Sequence, residues 1–152
     1  MAELKERLRA DLNAAMRARD QVRMRTLRMA LTSITTEEVA GTSARDLSAS
    51  EIVKVLTREA RTRREAAEAF GAAGRDEQAA AERAEGEVLA GYLPAQLSDD
   101  ELTALVSSAI AETGASGMQG MGQVMKILTP RVAGRADGAR VAAEVRRHLS
   151  ST

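Results

Sequence analysis

The sequence predicts an all-α protein, and three observations support this fold class. Aromatic residues make up only 1% of the 152 residues, so the core has to be built from Leu, Val, Ile, Met and Ala, an inventory rich in helix formers. There are only two prolines, and most of the 11 glycines stand near predicted helix ends. Apolar residues recur at spacings of three and four, which is the period of an amphipathic helix.

Two helices are predicted first. Leu4, Leu8 and Leu12 form one apolar stripe, which predicts a helix over residues 2–17. Asp20 is a suitable N-cap for the second helix, which we expect to end between residues 39 and 41. The stripe of this second helix suits packing against antiparallel neighbours, and it consists of Met24, Leu27, Leu31 and Ile34.

The third and fourth helices have clear start signals. Ser48 followed by Glu51 has the spacing of a capping box, so a helix should begin there and run to about residue 70. Asp76 is the predicted N-cap of the next helix, which continues to about residue 92. We expect Glu82, Glu85 and Glu87 on this helix to be exposed, and without His or Cys nearby they predict no metal site.

Arginines are concentrated in the third helix. Arg58, Arg61, Arg63 and Arg64 lie within seven residues, and at least one of them must lie close to the apolar stripe. One interpretation is a solvated face with i,i+4 ion pairs to glutamates. The other is a patch that binds a polyanion, and the sequence leaves both open.

A domain boundary is predicted between Leu93 and Pro94. Pro94 disfavours a helical conformation at Leu93 and ends the fourth helix. Ser98 and Glu101 then form a second capping box, which starts a fifth helix. We therefore expect one helical block on each side of this boundary.

Two more helices follow the fifth, which should end at Gly114. Ser116 and Gln119 have capping-box spacing for the sixth helix, although that helix contains several glycines. We interpret Gly122 as a structural residue that lets a neighbouring helix approach closely; the alternative is that it leaves backbone amides open to a ligand. After a turn at Gly134, Asp137 should cap the last helix. His148 lies in its final turn, and we expect no catalytic role for it.

Composition excludes several classes of site. The absence of cysteine excludes disulfides, thiolate nucleophiles and thiolate metal ligands. The charged N-terminal segment and the lack of a long apolar run predict a soluble, cytoplasmic protein without membrane contact. A formal net charge of zero argues against a chain whose whole surface clamps nucleic acid, and we expect no DNA binding. No catalytic residue, metal or cofactor is predicted.

Charge in the second block is uneven. Residues 94–115 carry four acids and no cation, whereas residues 116–152 are rich in arginine. The arginine-rich half can present arginines and helix N-termini to phosphates. The alternative is a surface on which the two halves compensate each other.

Several segments, in this order, resemble the signature of GatB/YqeY-domain proteins, specifically the stand-alone YqeY-like members. The resemblance covers nearly the whole chain. It rests on residues 92–98 (YLPAQLS), 121–125 (MGQVM) and 134–138 (GRADG), and also on residues 11–16, 25–28 and 74–76 with Glu82 and Glu85.

The resemblance implies a four-helix N-terminal domain over residues 1–93 and a three-helix C-terminal domain over residues 94–152. The latter is similar to the tail of the B subunit of tRNA-dependent amidotransferase, which contacts tRNA. The family often carries a carbon-nitrogen ligase label, with glutamine as amido-N-donor. Because only the tail-like part is present and no nucleophile is found, we expect no intrinsic catalysis.

The first functional hypothesis is therefore a non-catalytic accessory protein that binds tRNA or an amidotransferase or tRNA-synthetase assembly. With so few aromatic residues, any RNA contact should be to backbone and shape. The second hypothesis is a helical protein-interaction adaptor without RNA binding, which an exposed apolar patch would mark. The first hypothesis assigns RNA binding to Lys126, Arg131, Gly134, Arg135 and Arg140.

Overall fold

The computed structural model describes residues 2–151, and this part of the chain contains seven α-helices, one short 3₁₀ turn and no strand. The all-α prediction is confirmed. The chain forms two compact units, residues 1–93 and 94–152, and that each folds as an independent domain stays a prediction. The helices are α1 (Ala2–Ala18), α2 (Gln21–Glu38), α3 (Ala49–Ala72), α4 (Asp76–Ala90), α5 (Asp99–Thr113), α6 (Met121–Val132) and α7 (Gly138–Ser150).

The first unit packs α1 to α4 around one apolar core. Leu8 of α1, Leu27 of α2, Leu56 of α3 and Leu89 of α4 are all at most 1% exposed. Leu8 and Leu27 belong to the predicted stripes of α1 and α2, and a stripe of this period places one face of a helix toward the core. Burial of such side chains is worth about 1.5–3 kcal/mol each and holds the four helices together.

Two of the three N-caps predicted in the first unit are formed. The side chain of Asp20 accepts a hydrogen bond from Arg23 N, and Ser48 and Glu51 form the complete capping box. The Arg45 guanidinium and the Ser48 amide lower the pKa of Glu51 to about 2. The expectation for Asp76 is wrong, because Arg75 is the N-cap and makes no side-chain cap hydrogen bond.

The structure places two charged side chains of the first unit in the interior. Arg63 is 4% exposed, which confirms that one arginine of the third helix lies at the apolar stripe. Glu85 is 7% exposed, so the expectation that it faces solvent is wrong. Its carboxylate is 3.4 Å from the guanidinium of Arg25 on α2, and this pairing offsets the cost of its burial.

The second unit packs α5, α6 and α7 around Leu102, Val106, Leu128 and Val145. Ser98 and Glu101 form the predicted capping box, and Asp137 accepts hydrogen bonds from Ala139 N and Arg140 N. Gly114 ends α5 with a φ of 66°, in the left-handed region that glycine favours. The start and end signals of α5 and the cap of α7 are therefore confirmed.

The start of α6 differs from the sequence interpretation. Ser116 does not cap α6. A 3₁₀ turn at Met118–Gly120 precedes this helix, and Gly117 is the N-cap of that turn, at a φ of 70°. A Cβ at Gly120 would lie 2.6 Å from the Cβ of Ala115, whereas one at Gly122 would meet nothing within 4 Å in the described chain. The interpretation that Gly122 lets a neighbouring helix approach is therefore wrong. The close approach is between Gly120 and Ala115, which precedes the 3₁₀ turn.

The length and polarity of the helices bear on membranes as well. Across residues 2–151, no helix combines the length and the apolar character that crossing a bilayer requires.

Tyr92 takes part in a polar contact inside the first unit. Its hydroxyl donates a hydrogen bond to the Asp11 carboxylate, and the Arg7 guanidinium lies 4.7 Å from the ring centroid. Burial, together with the Asp11 carboxylate, raises the pKa of Tyr92 to about 12. The phenol therefore resists ionisation in the folded chain.

We expect the Tyr92 phenol to titrate near pH 12 in the folded chain and near pH 10 in the unfolded chain. The unfolded chain loses the phenol proton at a lower pH than the folded chain does. The protonated Tyr92 therefore contributes to stability below pH 10, and this contribution is lost as the pH rises toward 12. Phenolate absorbance measures this directly, since the chain has one tyrosine and no tryptophan. A folded-state midpoint equal to that in urea would contradict the contact with Asp11.

Candidate functional site

Three of the five residues assigned to RNA binding come together at the turn between α6 and α7. This turn lies against the segment that precedes α5. Gln96 Nε2 donates to the carbonyl oxygen of Gly134 at 2.8 Å, and Leu97 N donates to that of Arg135 at 2.8 Å. Arg140 Nη1 donates to the Leu97 carbonyl oxygen at 2.9 Å. Gly134 has a φ of 74°, which allows the chain to turn here.

Carboxylates at the start of α5 face the two arginines of this turn. Arg140 Nη2 lies 2.7 Å from Asp99 Oδ1, and Arg135 Nη2 lies 3.8 Å from Glu101 Oε2. The Ser98 backbone N–H holds the pKa of Glu101 below its usual value, and the charge of Arg135 adds to this effect. The acidic and basic halves of the unit therefore compensate each other at this point.

Arg131 and Lys126 lie elsewhere, on α6. The Arg131 guanidinium makes two hydrogen bonds to the Glu112 carboxylate of α5, and it lowers the pKa of Glu112. Lys126 is exposed and makes no hydrogen bond or ion pair with any residue that the structure describes. Residues five apart point about 140° from each other around a helix axis, so these two cations do not share one face.

His148 has one polar neighbour on its own helix and one on α5. Its Nδ1 lies 3.0 Å from the carbonyl oxygen of Glu144, and its Nε2 lies 3.5 Å from Ser107 Oγ on α5. A proton on Nδ1 that is donated to the carbonyl would leave Nε2 as an acceptor. Within residues 2–151, no group of three His, Cys, Asp or Glu side chains has an arrangement that could hold a metal ion.

The site predicted from sequence leaves out a strongly basic segment of the chain. Residues 17–28 contain five arginines and one aspartate, and they span the end of α1 and the first half of α2. A count of charges in short windows along the sequence would have found this segment.

The sequence matches the family described as Yqey-like protein over residues 5–149, which is nearly the whole chain. No similar sequence was found among curated proteins.

Proposed function

The chain belongs to the Yqey-like protein family, and on this premise we propose that it is a non-catalytic accessory protein that binds tRNA, in association with tRNA-dependent amide transfer. The premise supports the choice of tRNA, because the second unit resembles the tail of an amidotransferase subunit that contacts tRNA. Exposed cations on the second unit supply the groups that can bind phosphates.

The observation that carries the proposal is the exposure of Arg131, Arg135 and Lys126, and of the glutamates that pair with the two arginines. The side chains of Arg131 and Glu112 are 42% and 46% exposed, and those of Arg135 and Glu101 are 38% and 56% exposed. Exposed ion pairs of this kind are worth about 0–1 kcal/mol, so an arginine can exchange its carboxylate for a phosphate at little cost. Lys126 has no partner to give up among the described residues.

Contacts of this kind recognise the backbone of the RNA rather than its bases. Arginine presents a planar fork of donors that matches a phosphate. Base stacking needs aromatic side chains, and the chain has only Phe70 and Tyr92, both in the first unit. We therefore expect binding that depends strongly on salt and little on sequence.

The adaptor hypothesis has less support. The large apolar side chains that the structure exposes are Met16, Met29, Val39 and Met118, which lie on several different elements. Apolar residues exposed singly are ordinary on soluble proteins. If the experiment below contradicts tRNA binding, a protein-interaction adaptor becomes the leading hypothesis.

The test compares the affinity of two triple variants of the full chain for bulk tRNA. Replacement of Lys126, Arg131 and Arg135 by Ala should weaken binding by at least tenfold and reduce the slope of log affinity against log salt by about two. The control carries Arg45→Ala, Arg58→Ala and Arg147→Ala, three exposed and paired arginines, and loses the same charge. An equal loss in both variants, or no loss in the first, would contradict the assignment of tRNA binding to these three cations.

A further inference from the structure

The arginine-rich segment at the junction of α1 and α2 is not used by the surface proposed above. Its one acid, Asp20, accepts the hydrogen bond from Arg23 N that caps α2, and it forms no ion pair with an arginine side chain in the described part of the chain. Arg25 is paired with Glu85 of α4 at 3.4 Å. We define the arginine corner as the four remaining arginines of this segment, which are Arg17, Arg19, Arg23 and Arg28.

The arginine corner differs from the other arginine clusters by its lack of carboxylate partners. Arg17, Arg19 and Arg28 are exposed, and their side chains make no ion pair or hydrogen bond with any residue in the described part of the chain. In the same unit, by contrast, Arg45 and Arg58 each lie within 3.1 Å of a glutamate oxygen. Positive charge at the corner is therefore left for a partner outside the chain.

The fourth arginine lies beside a small pocket. Arg23 is half-buried and lines a pocket of about 180 Å³ together with Asp11, Asp20 and three alanines of α1. Asp11 is already bound by the Tyr92 hydroxyl, and Asp20 by the backbone at the start of α2. The carboxylates of this pocket are thus held by hydrogen bonds within the unit, and Arg23 lies on a different face of α2 from Arg28, which is five residues further along the helix.

Backbone conformation at the corner is unfavourable for the residue that is present. Arg19 has a φ of 58°, and among the described residues it is the one non-glycine residue in the left-handed region. It ends α1 in the position where α5 has Gly114, at a φ of 66°. Glycine adopts this conformation without strain, whereas a residue with a Cβ does not. An arginine at this position therefore costs some stability relative to glycine.

We propose that the arginine corner is a second phosphate-binding surface, in the first unit, that contacts the RNA backbone. The four arginines form no ion pair with any residue that the structure describes, so their guanidinium groups can donate hydrogen bonds to phosphates. The choice of RNA rests on the proposed function. An anionic membrane is the less suitable partner, because the exposed large apolar side chains beside these arginines are Met16 on α1 and Met29 on α2, whereas a membrane-surface helix presents a continuous apolar face.

The test uses the full chain with Arg17→Gln, Arg19→Gly and Arg28→Gln together, and measures affinity for bulk tRNA across a salt series. We expect affinity to fall at least tenfold and the salt slope to decrease by about two. The control variant carries Gln in place of Arg45, Arg58 and Arg147, which lie outside both surfaces. Arg19→Gly alone separates binding from folding, because it should raise the melting temperature while it weakens tRNA binding.

The outcomes distinguish this proposal from the proposed function. If the corner variant binds tRNA like the unchanged chain while the variant of Lys126, Arg131 and Arg135 does not, the corner proposal is overturned and the function stands. If neither variant changes binding, both fail. The corner proposal is also overturned if its variant loses binding only to vesicles of phosphatidylserine and phosphatidylcholine, which would indicate a membrane partner.

Discussion

Glu59→Gln should destabilise the first unit by about 3 kcal/mol, one of the two largest effects that the structure predicts. Arg63 Nη1 donates to Glu59 Oε2 at 2.7 Å, and the arginine side chain is 5% exposed. The Arg63 Nη2 group lies 3.3 Å from Met29 Sδ, and the Nε group is buried without a hydrogen-bond partner. Loss of the carboxylate would leave a buried charge that neutral acceptors compensate only in part.

The same argument predicts a rescue. Glu59→Leu combined with Arg63→Met removes both charges and fills the space with apolar atoms, so its stability should return to within about 1 kcal/mol of the original. Urea unfolding followed by tyrosine fluorescence measures this, because the single tyrosine, Tyr92, lies in the first unit. A Glu59→Gln variant as stable as the unchanged protein would show that the ion pair is not formed in solution.

Leu128→Ala and Leu56→Ala should each cost about 3 kcal/mol and should act on different units. Both side chains are 0% exposed, and each belongs to a core formed by residues of one unit. If the units fold as separate domains, Leu128→Ala lowers the midpoint of part of the helical circular-dichroism signal and leaves the Tyr92 transition in place. Leu56→Ala should shift the Tyr92 transition.

The contrary result is equally clear. A single transition, shifted equally in circular dichroism and in tyrosine fluorescence by either substitution, would show that residues 1–152 unfold as one cooperative body. The prediction of two domains at Leu93 and Pro94 would then be wrong.

Helices and caps could be predicted from the sequence because their signals are local. The capping boxes at Ser48 and Ser98 require only a serine and a glutamate three residues apart, and both are formed. The start of α6 could not be predicted in this way. Ser116 has the right spacing, but the contact of Gly120 with Ala115 and the 3₁₀ turn replace a simple cap.

Long-range pairing limited the prediction of the candidate site. The sequence does not show that Arg140 meets Asp99, or that Arg131 meets Glu112, because these partners lie on different helices. For the same reason the burial of Glu85 opposite Arg25 was missed. The sequence shows where charges are grouped along the chain. Which cations have a carboxylate partner depends on how the helices pack, and the sequence alone does not show this.

The most direct test of the central claim, that this protein binds tRNA through its phosphates, is the affinity of the full chain for bulk tRNA at several salt concentrations. The account predicts binding at low salt that weakens steeply as salt increases, in proportion to the number of phosphates contacted. No binding at low salt would contradict it, as would an affinity that does not change with salt.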